Sequence, residues 1–128
     1  MQREAPDLEA AAALVTEVWN PMAMPTRTAY AHTGSEIFEV RIVPLSDVKC
    51  FERGPGVPGL VRDRALSLLD ALRTSVALPP VNVYLSKDKD APFRYRLYHG
   101  YHRFHLSLAV GYTHIPVAIN HLAEAGAA

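Results

Sequence analysis

The 128-residue sequence has one cysteine, no excess of charge of either sign and no long hydrophobic run. Cys50 alone cannot form a disulfide within the chain, which fits a reducing compartment. Thirteen basic residues balance thirteen acidic ones, whereas a protein that grips duplex DNA by itself usually has a basic excess. No apolar stretch reaches the roughly 18 to 20 residues of a membrane-spanning helix. A disulfide scaffold, a nucleic-acid clamp and a membrane protein are therefore not expected.

The N-terminal stretch MQREAPDLEAAAALVTEVW has neither a basic start nor a long apolar centre. Because a secretory signal peptide requires both features, none is predicted. With the single cysteine, this indicates a cytoplasmic protein. A chain of 128 residues that is 49% hydrophobic and 20% charged predicts one ordinary globular domain with a modest core.

Three segments have the hydrophobic spacing of helices. The first follows Asp7, a candidate N-cap, and ends at Asn20-Pro21 because the residue before a proline avoids helical backbone. The second ends before Pro79-Pro80, and the third runs from Gly100 to Gly111. The predicted apolar faces are Leu8, Ala12, Val15 and Trp19; then Leu60 or Val61, Ala65, Leu68, Leu69, Leu72 and Val76; and finally Phe104, Leu108 and Ala109.

Four segments are predicted as strands. In IFEVRIV, Phe38, Val40 and Ile42 alternate with their neighbours, which indicates a half-buried strand. PLSDV after it predicts a turn or a short helical piece. The other predicted strands are VNVYL, RYRLY and IPVAI. The order helix, strand, helix, strand, strand, helix, strand predicts an α+β (mixed α/β) domain over residues 37–121. Residues 1–36 would be an N-terminal helix and loop extension, and residues 122–128 a frayed tail.

The stretch YHGYHRFHLSLAVGYTHIPVAI places Gly100, His102 and Arg103 where a strand gives way to a helix. The first turn of a helix has unpaired N–H groups and the positive end of the dipole, so it attracts phosphate. Gly100 allows close approach of an anion, Arg103 offers a planar fork of donors, and His102 offers a hydrogen bond. The alternative is a tight turn in which Arg103 pairs with Asp70 or Asp47.

Further arginine and histidine residues lie near this turn in the sequence. Arg94 and Arg96 precede the turn and, with it, suggest a local anion site. His99, His102 and His105 are three residues apart, but zinc sites with clear signatures add cysteines or a glutamate between histidines spaced by four. No metal site is therefore predicted, and His105 is interpreted as a partly buried, hydrogen-bonded helix residue.

The order of VPLSDVK, RALSLLDAL, PPVNVYL and the Gly-Tyr-His-Arg turn leading to IPVAI resembles the ParB N-terminal-domain and sulfiredoxin superfamily, over about residues 37–121. The corresponding turn reads Gly-Cys-His-Arg in sulfiredoxins and Gly-Glu-Arg-Arg in ParB proteins. The resemblance implies a small sheet flanked by helices, with an extra N-terminal helix in this chain. It also implies binding of ATP or another nucleotide, together with Mg²⁺ if phosphoryl transfer occurs.

The resemblance also implies roles for individual residues. Tyr101 stands where sulfiredoxins have their catalytic cysteine, so sulfiredoxin activity is not expected. The tyrosine could instead stack on a base or close a pocket, or it could be an ordinary packing residue at the start of a helix. A related branch, the free amino-acid kinases, implies a catalytic base at Glu52. The implied nucleotide-binding residues are Arg64, Ser67, Gly100, Tyr101, His102 and Arg103.

Two classes of function remain open at this point. The first is a domain that binds a nucleotide or phosphorylated small molecule at the Gly-x-His-Arg turn; if it is an enzyme, the favoured chemistry is phosphoryl transfer to a small hydroxyl compound. The second is a non-catalytic interaction module whose acidic N-terminal helix binds a protein partner or a second copy, which exposure of Leu8, Val15 and Trp19 would favour. A nuclease is disfavoured because the chain has no acidic metal-binding cluster and no net charge.

Overall fold

The fold is described from a computed structural model that covers residues 7–19, 28–51 and 59–121. These residues form helices α1 (Leu8–Val18), α2 (Arg62–Arg73) and α3 (Tyr101–Val110), and strands β1 (Glu39–Pro44), β2 (Val48–Lys49), β3 (Val81–Leu85), β4 (Tyr95–His99) and β5 (His114–Asn120). Part of the predicted first loop, residues 20–27, lies outside the described residues, as do Glu52 and the predicted tail 122–128. The predicted α+β class is confirmed.

The strands form one mixed sheet in the order β1-β5-β3-β4-β2. β5 runs antiparallel to β1 and parallel to β3, while β4 is antiparallel to β3 and parallel to β2. Ile115, Val117 and Ile119 of β5 are fully buried, as the apolar run IPVAI predicts. β2 was not predicted, because two residues are too short to show a period.

The predicted apolar face of IFEVRIV is partly buried at Phe38 and Val40 and exposed at Ile42. Ile42 is 52% exposed, whereas Val43 is buried in the core. Because successive side chains of a strand point to opposite sides, Val40 and Ile42 lie on the face of the sheet away from Val43. The half-buried alternation therefore holds at Phe38 and Val40, but the prediction misses Val43, the residue of the opposite face that reaches the core.

Helix α3 is buried on most of its circumference because it contacts α1, α2 and β3. Phe104 is in the core as predicted, but Leu108 and Ala109 are only partly buried. The predicted face was too narrow, since a helix that is covered on several sides does not show one apolar stripe. The residues of α3 that are buried are Tyr101, His102, Phe104, His105, Leu106, Ser107 and Val110.

Helix α1 packs on α3 through Ala11 and Val15, and Trp19 is buried just beyond its end. Ala12, which was predicted on this face, is exposed, because Ala11 lies four residues before Val15 and continues the buried row. The burial of Val15 and Trp19 removes the condition that would have favoured α1 as a docking helix.

Helix α2 buries Ala65, Leu69 and Leu72, as its spacing predicts. Val61 and Val76 lie outside the helix and are largely exposed. No helix among the described residues is both long enough and apolar enough to cross a membrane.

Tyr30 fixes the entry to β3. Its side chain is 3% exposed, and its Oη donates a hydrogen bond to the Pro79 carbonyl oxygen over 2.7 Å. Burial is the main reason why the pKa of Tyr30 rises from 10.0 to about 12. The protonated phenol is therefore the form that the folded state favours.

Tyr30→Phe is expected to remove part of the alkaline sensitivity of the fold. A group whose folded pKa is raised contributes stability below its unfolded pKa and loses it as the pH rises through the folded pKa. Between pH 10 and 12, ionisation of Tyr30 should therefore lower the free energy of unfolding by up to about 3 kcal/mol. From pH 8 to 12, the melting temperature of wild type should fall more steeply than that of Tyr30→Phe; parallel curves would contradict the prediction.

Candidate functional site

A cavity of about 370 Å³ lies between the end of β4, the start of α3 and one face of α2. The predicted site residues that line it are Arg64, Gly100, Tyr101, His102 and Arg103; the other lining residues are Phe51, Val61, Leu68, Tyr98 and His99. Ser67 is exposed and is not part of the lining. Glu52 lies outside the described residues, so its role stays a prediction.

Gly100 makes the turn from β4 into α3. Its φ of 114° and ψ of 32° lie in the left-handed region, which favours glycine. A Cβ at this position would lie 2.5 Å from Cγ1 of Val81, so the turn also packs tightly on β3. The Phe104 N–H donates to the Gly100 carbonyl oxygen over 2.9 Å. This is the first backbone hydrogen bond of the helix. The N–H groups of residues 101–103 come before it in the chain, and these residues line the cavity.

Arg103 is held by backbone carbonyls. Its Nη1 donates to the carbonyl oxygens of Pro79, at 2.6 Å, and Pro80, at 2.9 Å. The alternative of a salt bridge to Asp70 is wrong, because Asp70 pairs with Arg73 at 2.6 Å. Arg103 therefore ties the first turn of α3 to the segment that leads into β3.

The charge around the cavity is positive at its rim. Burial is the largest cause that lowers the pKa of His99, and the nearby charges of Arg103 and Arg64 lower it further. The neutral ring of His99 is within 3.3 Å of the Asn82 side-chain oxygen through Nδ1. Two guanidinium groups thus act on the same small region, which favours an anion there.

His102 acts as a hydrogen-bond acceptor in this structure. Its ring is 7% exposed, and its Nε2 accepts a hydrogen bond from the Val61 N–H over 2.9 Å. Because a backbone N–H can only donate, Nε2 is unprotonated and the ring proton is on Nδ1. Val61 is the residue directly before α2, so His102 holds the start of the helix that carries Arg64.

Tyr101 connects α3 to α1. It is buried, and its Oη donates to Oδ2 of Asp7 over 2.5 Å. Asp7 therefore does not cap α1 through its side chain as predicted. The Tyr101 ring also packs against Phe51 and His105, at centroid distances of 5.5 and 4.4 Å. Tyr101 is thus part of the packed wall of the cavity.

The other candidate groups lie elsewhere or in the core. Arg94 and Arg96 do not line the cavity, and Arg96 lies over the Phe93 ring at 5.0 Å. His105 is fully buried rather than partly buried, and its Nδ1 is 2.9 Å from the Tyr101 carbonyl oxygen. Within residues 7–19, 28–51 and 59–121, no group of three His, Cys, Asp or Glu side chains could hold a metal ion. No described residues are therefore assigned to Mg²⁺.

Sequence reasoning missed most of the apolar wall of the cavity. Leu68 follows Arg64 by four residues, so the two lie on one face of α2, whereas Ser67 is turned away to solvent. The helical period could have selected Leu68 over Ser67. Phe51 and Tyr98 come from separate parts of the chain, and no local pattern marks their approach.

Comparison with known proteins gives a structural relationship only. No protein-family model and no curated protein matches the chain. Among solved structures, it is similar to the C-terminally truncated chromosome-partitioning protein ParB from Caulobacter crescentus complexed with CTP-gamma-S, with a TM-score of 0.53 and 20% identity. This chain has a ParB-like fold. The match covers 66% of this chain and 46% of that chain, so the chain spans less than half of that ParB.

The same ParB complexed to the centromeric parS site gives a TM-score of 0.46 at 19% identity, covering 65% of this chain and 40% of that chain. An identity near 20% relates the folds and not the activities. The ParB part of the resemblance seen in the sequence is confirmed as a fold. Its sulfiredoxin part stays a prediction.

Proposed function

We propose that this chain binds a nucleotide or a phosphorylated small molecule in the cavity at the start of α3. The observation that carries the proposal is that Arg64 and the Gly100 turn line the same cavity. A helix start attracts phosphate through its unpaired N–H groups and dipole. An arginine on the opposite wall adds a fork of donors that suits phosphate oxygens.

The proposed roles differ from residue to residue. Arg64 is exposed on α2 and would bind phosphate oxygens directly, together with the first-turn N–H groups. Arg103 would contribute charge and hold the turn, since its Nη1 already binds two carbonyls. Phe51, Leu68 and Tyr98 offer an apolar and aromatic wall for a base or another uncharged group.

The ParB-like fold supports a nucleotide as the ligand, because the similar ParB is complexed with CTP-gamma-S. The candidate nucleotides are ATP, ADP, CTP and GTP. Phosphoryl transfer to a small hydroxyl compound stays a prediction, since its proposed base, Glu52, lies outside the described residues. Nucleic acid is not expected as the ligand of a chain without net charge, although another structure of that ParB is complexed to parS.

The interaction module remains the alternative function. Its favoured docking surface, the apolar face of α1, is covered by α3. It would have to use another surface of the chain. The nucleotide proposal is therefore preferred and is tested first.

Arg64→Ala is expected to weaken nucleotide binding at least about tenfold, or about 1.4 kcal/mol, and to leave the unfolding free energy within about 0.5 kcal/mol. The binding loss follows because Arg64 would contact phosphate, and the stability is kept because the side chain is exposed. Calorimetric titration with ATP, ADP, CTP and GTP, with and without Mg²⁺, measures the affinity, and thermal shift reports binding independently.

Arg73→Ala is the matched control, since Arg73 is on the same helix, exposed, and outside the cavity. It should bind like wild type. If wild type binds none of these nucleotides at millimolar concentration, the proposal is wrong and the interaction module takes its place. A fluorescent parS-like duplex, added in parallel at physiological salt, would reveal DNA binding instead.

A further inference from the structure

The outer edge of β1 presents free main-chain groups in a known register. β1 is the terminal strand of the sheet, so within the described chain no strand pairs with that edge. Its inner edge pairs with β5, where Ile42 is opposite Pro116 and Pro44 is opposite His114. A proline has no N–H, so neither pair can exchange two hydrogen bonds. The bonds to β5 therefore come from residues 39, 41 and 43.

A hydrogen bond just beyond the strand agrees with this alternation. Leu45 N–H donates to the Thr113 carbonyl oxygen over 2.9 Å, which continues the odd-numbered series beyond the strand. The N–H and C=O groups of Val40 and Ile42 then point outward, away from β5. An exposed strand edge of this kind is a template on which another chain can pair.

The side chains of β1 are complementary to a second copy of the same strand. If two β1 strands pair antiparallel with Val40 opposite Val40, Glu39 faces Arg41 of the second copy, and Arg41 faces its Glu39. On the other face, Ile42, 52% exposed, comes near Phe38 of the second copy, which lies in the bend directly before β1. Opposite charges and apolar side chains directly across an antiparallel pair each stabilise it.

The charges of Glu39 and Arg41 favour one of the possible registers. Pairing centred on Arg41 would bring two arginines face to face, which is destabilising. Pairing centred on Ile42 would place Arg41 opposite Val43, which is buried in its own core. Only the register centred on Val40 sets Glu39 against an arginine.

Glu39 and Arg41 are already placed for this exchange. Arg41 Nε donates to Glu39 Oε2 over 2.5 Å within the chain, and both side chains are about half exposed. His121 Nε2 lies 3.0 Å from Glu39 Oε1 on the same surface. The pair can thus be shared with a second copy without burying an unpaired charge.

We propose that two copies of this chain form a dimer by antiparallel pairing of β1 with β1, centred on Val40. The two sheets then join into one continuous sheet around a twofold axis. The partner is a second copy because the charge pattern is complementary to itself. This surface is separate from the cavity, so the dimer and the nucleotide proposal stand or fall independently.

The test uses analytical ultracentrifugation of the full chain up to about 1 mM, a range that covers weak pairing. Wild type should show a concentration-dependent monomer–dimer equilibrium. Glu39→Arg alone and Arg41→Glu alone should each weaken dimerisation at least about tenfold, because each places like charges opposite each other. An equimolar mixture of the two variants should restore the dimer, since every charge then faces its opposite.

Ile42→Lys provides a second disruption that does not depend on the Glu39–Arg41 pair, and Arg73→Glu is a charge control away from the edge. Circular dichroism and thermal melting should match wild type for each variant, so that loss of the dimer is not loss of the fold. A wild type that is monomeric throughout, or a mixture that stays monomeric, would overturn the proposal.

Discussion

Replacing Gly100 with alanine is expected to destabilise the fold by about 2–5 kcal/mol. The backbone holds φ at 114°, which is unfavourable for any residue with a Cβ. The added methyl group would also lie 2.5 Å from Cγ1 and 2.8 Å from Cβ of Val81, so β3 or the start of α3 must move. Urea unfolding followed by far-UV circular dichroism measures the loss.

Gly111→Ala separates the two causes. Gly111 ends α3 with a φ of 104°, but a Cβ there would meet no atom within 4 Å. Its alanine variant should lose only the backbone contribution, about 1–2 kcal/mol. Equal losses at Gly100 and Gly111 would show that the approach of the turn to Val81 does not matter.

Trp19→Ala should cost about 3–5 kcal/mol, as for other large buried aromatics. Trp19 is 6% exposed and anchors the end of α1, and its backbone N–H donates to the Val15 carbonyl oxygen over 2.9 Å. Because Trp19 is the single tryptophan, the unfolding of this variant must be followed by circular dichroism.

The neighbouring Val18→Ala is the control, since Val18 is 44% exposed and should change stability by no more than about 0.5 kcal/mol. The pair of variants also tests the predicted division at residue 36. If α1 is a separable extension, Trp19→Ala will leave the main transition unchanged. If α1 is part of one cooperative core, the whole transition will shift.

Local patterns were sufficient for most elements of this fold. The spacing of Ala65, Leu69 and Leu72 defined the buried face of α2, and the apolar run of β5 defined the central strand. They failed where burial depends on distant neighbours. Ile42 has the side chain of a core residue but lies on a terminal strand, and Ser107 is polar but buried because α3 is covered on several sides.

The residues of the candidate site were predicted only in part, and from two different sources. Gly100 and Arg103 are marked by a local motif, but Arg64 came from the resemblance, because no period relates positions 36 residues apart in the sequence. The partners of Arg103 were not predictable either. Arg103 donates to the carbonyl oxygens of Pro79 and Pro80. Every residue has a backbone carbonyl, so the amino-acid type does not indicate which ones accept this bond.

If the proposed anion binds at His102, the hydrogen bond from Val61 N–H to His102 Nε2 would couple its binding to the start of α2. One ring nitrogen cannot accept from Val61 and donate to a phosphate at the same time. An anion that recruits Nε2 as a donor must therefore release the residue before α2, the helix that carries Arg64. A change that weakens the Val61–His102 bond should then favour binding of such an anion, because less of the binding free energy is needed to break that bond. One imidazole nitrogen would then be the contact through which the proposed ligand and the helix beside the cavity compete.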